Sequence, residues 1–535
     1  MDAADEEALF ARFGRALTFG TGGLRGLLGA GTNRMNIYTV RRAAQALCAD
    51  IVKSGCNKSI AIAFDSRRMS RRFALETARV AAGNGVKAYL YPRLEPTPAL
   101  SYAVRYYACG AGVCITASHN PREYNGFKVY GPDGCQITLE AAARIASEMD
   151  GVDPFDGVLL APENDPLIQS VGDECLDSYL DAVLALDPAP GKKPELRAVY
   201  TPLNGAGREC MEKLFFRLGI SHYTIVPEQS EPDGDFPTCP YPNPEEKSAM
   251  ALALALAERE QPDAVIGTDP DCDRMAAAVP DGEGKYTLLS GNEIAALMLD
   301  YICRTRLAAG TMPKKPVAVT TIVTTDLLTP IALKYGVKLI RTLTGFKFIG
   351  EQIGRMEAAG ERERFIFGCE ESYGYLSGTH VRDKDAVNAG LLLLSMLADA
   401  KRRNSTLLSD LAGLYREHGC YRTGLCSFAF PGESGMKKMA ETMRQLRERP
   451  PAELAGAAVV GVADYEDAAS TGLPAADALE FRLADGGKLT VRPSGTEPKI
   501  KVYLTARQAD ADAASARLLA LEKAAGALAA LSTHP

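Results

Sequence analysis

Short, continuous apolar runs alternate with amphipathic stretches along most of the chain. SIAIAFD at 59–65 is followed by the amphipathic stretch 71–83. LRAVY at 196–200 leads through a turn into 207–218, and PVAVTTIV at 316–323 precedes 327–335. A run without polar alternation has both faces covered, so each pair predicts a buried parallel strand followed by a covering helix. Three such pairs at about the spacing of a domain predict threefold use of one α/β plan.

The last part of the chain breaks this pattern. Short strands are predicted around 479–481, 489–491 and 500–503, followed by an Ala-rich helix over about 510–531. That order predicts an α+β end domain. The Pro- and Gly-rich segment 187–194 reads as a linker, and a second change of character falls at 417–423.

Bulk properties narrow the function. At 535 residues the chain is too long for one core. A net charge of −7 supplies no basic field for nucleic acid, so an anionic substrate needs local Arg and Lys side chains. The thirteen cysteines are scattered without a CxxC pair, which predicts reduced thiols in a cytoplasmic protein. No apolar run approaches the ~18 residues of a spanning helix, and the acidic start MDAADEEALF does not read as a signal peptide.

Five stations carry the candidate chemistry. TASHNP at 116–121 follows an apolar strand and places the hydroxyl of Ser118 in a turn, with Lys128 ten residues on. DPDCDR sets Asp269, Asp271 and Asp273 at alternate positions after another apolar run. An EF-hand would need Gly and Glu where Arg274 and Pro280 stand, so the loop suits Mg²⁺ better than an EF-hand calcium site. GTGGLRG at 20–26 lacks the last Gly of a dinucleotide fingerprint and the GKS/T of a Walker loop, and reads as a flexible loop offering N–H groups and Arg25 to phosphate. GCEESYGY at 368–375 offers carboxylates and a hydroxyl to sugar hydroxyls, between TGFK at 344–347 and HVRDKD at 380–385. RPSGTEP at 492–498 forms an oxyanion nest. Taken singly, most of these would pass as ordinary polar turns.

In this order the five stations resemble the α-D-phosphohexomutase superfamily, most nearly its phosphoglucomutase and phosphopentomutase branch, over nearly the whole chain. The resemblance implies four domains around a central cleft: three related α/β units with doubly wound, mixed sheets and a C-terminal α+β domain. On that basis the domains are placed at 1–186, 187–290, 291–415 and 416–535. It further implies a phosphorylated Ser118 that completes a Mg²⁺ site with Asp269, Asp271 and Asp273. Arg25, His119 and Lys128 stand beside the phosphoserine, and Lys384 is a second acid/base group. Arg274, Gly345, Lys347, Glu370 and Ser372 face the sugar, and Arg492, Ser494, Gly495 and Thr496 hold the distal phosphate. The implied reaction converts glucose 1-phosphate and glucose 6-phosphate through a 1,6-bisphosphate, which also serves as activator.

Within that mechanism Lys128 accepts a proton, so its pKa is expected to fall below ~10.4 under the influence of Arg25. Cys272 departs from many family members and raises the question of oxidation sensitivity. Phosphopentomutase and phosphomannomutase activities are the neighbouring alternatives. A non-catalytic phosphosugar-binding protein and a sugar-bisphosphate synthase are the more distant ones.

Overall fold

The computed structural model describes residues 3–20, 22–430, 435–494 and 499–529, which form four sheets. The first contains β1 (Gly23–Leu27), β2 (Ser59–Phe64), β3 (Lys87–Leu90), β4 (Ala111–Ile115), β5 (Tyr124–Tyr130) and β6 (Ile168–Ser170). The second contains β7 (Arg197–Thr201), β8 (His222–Ile225), β9 (Ala264–Thr268), β10 (Met275–Pro280) and β11 (Tyr286–Leu288). The third contains β12 (Val317–Thr321), β13 (Lys338–Thr342), β14 (Phe365–Glu370) and β15 (Gly374–Leu376).

These three sheets share one plan. β2 lies between parallel β3 and β4, β7 between β8 and β9, and β12 between β13 and β14. The three apolar runs singled out in the sequence are therefore the equivalent strand of each unit. They are buried because helices cover both faces. In every unit the third strand then pairs with an antiparallel fourth: β4 with β5, β9 with β10, and β14 with β15.

The hairpin turns so created lie at 116–123, 269–274 and 371–373. Each contains one non-glycine residue in the left-handed region: Ser118 at φ 52°, Cys272 at φ 51° and Tyr373 at φ 62°. Three of the five chemical stations thus occupy one topological position. The threefold repeat, only a pattern in the sequence, is a repeat of functional turns in space.

The fourth sheet is entirely antiparallel. It contains β16 (Cys420–Ala429), β17 (Glu453–Leu454), β18 (Ala457–Asp464), β19 (Leu479–Leu483), β20 (Lys488–Pro493) and β21 (Lys499–Gln508), in the order β16-β21-β20-β19-β18-β17. Helices Gly435–Glu448 and Ala511–Ala529 cover one face, with Leu489, Val491, Ile500, Val502 and Leu504 in the shared core. Strand alternation turns Lys488, Thr490, Arg492 and Tyr503 to the other face. The predicted terminal helix ends at Ala529 among the described residues, and its expected extension to 531 lies outside them.

Two readings need correction. The second half of GTGGLRG is not a flexible loop, because Gly23–Leu27 is β1, paired antiparallel with β5. Most of its backbone is committed to the sheet, which leaves the Arg25 side chain as its offering. Nor is 187–194 a free linker. Lys193 is buried and reaches Asp187 Oδ2 at 2.6 Å, while Ser395 donates to Asp187 Oδ1 at 2.8 Å. Proline and glycine mark a chain that leaves regular structure; they do not reveal that an ion pair packs it down.

Candidate active site

Ser118 ends the apolar strand β4 in a buried turn. Its N–H donates to Thr116 Oγ1 at 2.8 Å and its hydroxyl to Asp269 Oδ2 at 2.7 Å. The Ser118 turn of the first unit therefore meets the acidic turn of the second directly. Thr97 adds two ties, donating its N–H to the Asp271 carbonyl and its hydroxyl to Asp271 Oδ2, both at 2.9 Å. Directly after the acidic turn, Met275 N–H at the start of β10 donates to the Tyr373 carbonyl of the third unit at 3.1 Å.

Asp269, Asp271 and Asp273 are buried, and one oxygen of each lies within 4.8 Å of the others. Asp269 Oδ1 accepts the N–H groups of Asp273 and Arg274 at 3.1 and 3.0 Å. Asp271 Oδ1 and Asp273 Oδ1 are buried with no hydrogen-bond partner. Orphaned carboxylate oxygens in a buried cluster carry a large desolvation cost unless a cation meets them. This donor set fits a hard divalent ion. Burial, and then Asp271 and Asp273, raise the Asp269 pKa well above its ordinary value.

Lys128, on β5, places Nζ 2.6 Å from Asp271 Oδ2 and 3.4 Å from Asp273 Oδ2. Lys384 lies 3.1 Å from Asp273 Oδ2 and 3.2 Å from Asp383 Oδ1. Burial opposes both charges, but the carboxylates prevail and both pKa values are raised. This corrects the expectation for Lys128: Asp271 and Asp273 dominate its surroundings, not Arg25. Arg25 is exposed on β1 and donates to Asn120 Oδ1 at 3.1 Å. His119 Nδ1 lies 3.2 Å from Ser118 Oγ, and burial, then Arg274 and Arg25, hold the imidazole pKa well below its ordinary value.

Lys384 owes its place to both neighbours of its loop. Asp385 caps the helix Ala386–Arg402 and also accepts from Tyr179, and Tyr130 donates to Asp383 Oδ2 at 2.8 Å. A Cβ on Gly374 would stand 2.3 Å from Lys384 Cδ, so glycine at that position leaves the lysine its path. Arg274 pairs with Glu245 at 2.5 Å.

In the third unit, Glu370 is buried at the end of β14 and accepts the Gly345 N–H at 2.8 Å. Ser372 sits in the following turn, half-buried. Lys347 is in the first turn of helix Phe346–Ala358, where burial lowers its pKa. Arg492 lies on β20 and Ser494 follows it, while Gly495 and Thr496 fall outside the described residues. Cys272 is fully buried and burial raises its thiol pKa well above the ordinary value, so it fills space and is not a reactive thiol.

Sequence reading missed Thr97, Glu245 and Asp383. Thr97 follows Glu95-Pro96 at a helix start, a place where a hydroxyl ordinarily caps. Glu245 lies in a long irregular segment. Asp383 stands beside Lys384 inside HVRDKD, and its adjacency was the one signal available.

Comparison with known proteins completes the picture. Family models described as phosphoglucomutase/phosphomannomutase α/β/α domains I, II and III match residues 16–154, 177–282 and 290–415, and the C-terminal domain of that family matches 443–520. A phosphoglucomutase of Staphylococcus epidermidis is 35% identical over 504 residues, covering 91% of this chain and 90% of its own. A "probable phosphomannomutase" of Haemophilus influenzae is 38% identical over 480 residues, covering 89% and 94%. Among solved structures, the parafusin phosphoglucomutase of Paramecium in an open form aligns with a TM-score of 0.75 at 18% identity, covering 97% of this chain and 95% of that one, and shares the fold.

Proposed function

Because the chain belongs to the phosphoglucomutase/phosphomannomutase family, we propose that this phosphohexomutase interconverts glucose 1-phosphate and glucose 6-phosphate through a phosphorylated Ser118 and a sugar 1,6-bisphosphate. The observation that carries the reading is the 2.7 Å contact between Ser118 Oγ and Asp269, at the edge of a buried cluster with two orphaned carboxylate oxygens. A protein that only binds phosphosugars needs neither a strained nucleophile nor such a cluster. Glucose is favoured because the Staphylococcus relatives at 33–35% identity carry the phosphoglucomutase name. The free state of all thirteen cysteines supports a reducing, cytoplasmic setting.

Asp269, Asp271 and Asp273, with Ser118 or its phosphate, would hold Mg²⁺. Bound there, the cation neutralises charge on the transferring phosphoryl group. The chain supplies the rest. The bond from phosphorus to Ser118 Oγ breaks as one forms to the sugar 6-oxygen. Lys128 and Arg25 draw off phosphoryl charge. The proton of the attacking 6-hydroxyl ends on the departing Ser118 Oγ, where His119 Nδ1 lies 3.2 Å away to hand it over, while Lys128 and Lys384 act as ammonium ions. Glu370 and Ser372 accept and donate to sugar hydroxyls, and Arg492 with Ser494 grips the distal phosphate. The bisphosphate then turns end for end, its 1-phosphate returns to Ser118, and glucose 6-phosphate leaves. Sugar 1,6-bisphosphate added from outside primes enzyme that has lost its phosphate.

Purified protein with Mg²⁺ and a trace of glucose 1,6-bisphosphate tests this against glucose, mannose and ribose 1-phosphates in parallel. Fastest turnover on the glucose ester is expected. Preference for ribose or mannose would reassign the substrate, and no turnover on any would remove the mutase reading.

A further inference from the structure

Arg67 belongs to none of the five stations, and its side chain is wholly buried beside the nucleophile turn. Nη2 donates to the Ser118 carbonyl at 2.6 Å and also to that of Asn120. Nη1 donates to the carbonyls of Pro121 at 2.9 Å and Tyr124 at 3.1 Å. Nε lies 3.3 Å from Asp65 Oδ2, while Asp65 Oδ1 accepts the Arg67 N–H at 2.9 Å and the Ser70 hydroxyl at 2.7 Å. From the second unit, the Phe236 ring covers the guanidinium at 5.1 Å.

Four carbonyls aimed at one buried point repel each other unless a cation with several fixed donors stands there. A planar guanidinium offers five donors in a rigid fork; an ammonium offers three on a flexible stem. Ser118 sits at φ 52°, a conformation that a serine holds only where its surroundings fix it. The carbonyls bound by Arg67 belong to Ser118 itself and to the residues that follow it through the turn. Asp65 aims the guanidinium, and Phe236 closes it off from solvent.

We infer that Arg67 is a positioning residue for phosphoryl transfer. It fixes the left-handed turn so that Ser118 Oγ faces Asp269, and through Phe236 it makes that orientation depend on the second unit being docked. This rests on the mutase reading above. Arg67 does not touch the sugar, so its loss slows transfer at Ser118 without weakening substrate binding.

The test uses the full-length protein, stripped of serine phosphate and mixed with glucose 1,6-bisphosphate under rapid quench. Intact mass reports the rate of Ser118 phosphorylation, alongside KM for glucose 1-phosphate and the melting temperature. Arg67→Lys should phosphorylate about 10²-fold more slowly with KM within about threefold of wild type. Asp65→Asn keeps the shape and the Oδ1 acceptor but slackens the Nε contact, so transfer should slow about tenfold at unchanged KM. It decides the matter if the lysine variant fails to fold. A folded variant that transfers at the wild-type rate, or that alters only KM or the melting temperature, overturns the positioning role. Wild-type protein that takes no phosphate onto Ser118 overturns the mutase reading, and the inference falls with it.

Discussion

Two joints of this molecule are built differently. Where the first unit meets the second, a shared apolar core is joined by buried polar contacts: Ser118 to Asp269, Thr97 to Asp271 twice, and Lys128 to Asp271. Where the third unit meets the fourth domain, Ile322, Val323 and Leu343 pack against Tyr465 and Ala478. Lys488 adds an ion pair to Asp326 at 3.0 Å, and Asn292 donates to Thr423 at 2.9 Å. The first joint counts the groups proposed for the chemistry among its fasteners, so parting it would dismantle the proposed site. The second is fastened by residues with no proposed part in the chemistry. Transfer at Ser118 needs reacting atoms fixed to within tenths of an ångström. The distal-phosphate grip proposed for Arg492 would have to receive either end of a turning bisphosphate and so needs a joint that can open.

The largest effects should come from breaking the fixed joint. Ser118→Ala removes the atom proposed to carry phosphate, and turnover should fall by about 10⁴-fold or more. Asp271→Asn removes a proposed cation ligand and the partner of Lys128 and Thr97 together; kcat should fall on the order of 10³-fold, with weaker metal binding by calorimetry. Arg492→Ala, in the fourth domain, should raise KM for glucose 1-phosphate about tenfold or more while kcat stays within a few-fold. An unchanged KM would exclude Arg492 from the distal grip. If instead kcat fell and KM held, the division of labour between the two joints would be wrong.

The smallest effect is on stability and sharpens the account of the fixed joint. Glu95 is buried there, with Cys210 Sγ 3.8 Å and Arg93 Nε 3.1 Å away. Burial, then Glu209, push its carboxyl up from 4.5 to about 8, against the pull of Arg93 and Lys213. The folded protein therefore binds a proton that the unfolded chain releases above its ordinary carboxylate range. The resulting stability is complete below about pH 4.5 and is lost as pH rises through about 8. Melting temperature should drop between about pH 4.5 and 8 and level off above that, and Glu95→Gln should flatten that drop. An equal drop in the variant would remove Glu95 as its source.

Much of this was legible from residue patterns. Continuous apolar runs identified the central strand of each repeated unit, because burial on both faces leaves no room for polar alternation. Ser118 and the three aspartates stood out because their chemistry is written in adjacent residues. Partnership was not legible. The carboxylates around Lys128 come from residues more than 140 positions away, so the direction of its pKa shift could not be read from Arg25 or any neighbour in sequence. Gly-rich spacing suggested a flexible loop at 20–26, where pairing with β5 makes a strand. Arg67 is the clearest case: its sequence surroundings, DSRRMS, carry no signal that one of two adjacent arginines folds inward onto four carbonyls.

The central claim is that Ser118 carries the phosphoryl group between the two ends of the sugar. Enzyme phosphorylated on Ser118 with a radiolabel, mixed in excess with unlabelled glucose 1-phosphate for a single turnover, tests it most directly. The account predicts that label leaves Ser118 and appears in glucose 1,6-bisphosphate and then at the 6-position of glucose 6-phosphate. Label that stays on the protein, or is released as inorganic phosphate while the sugar ester is converted, would contradict it.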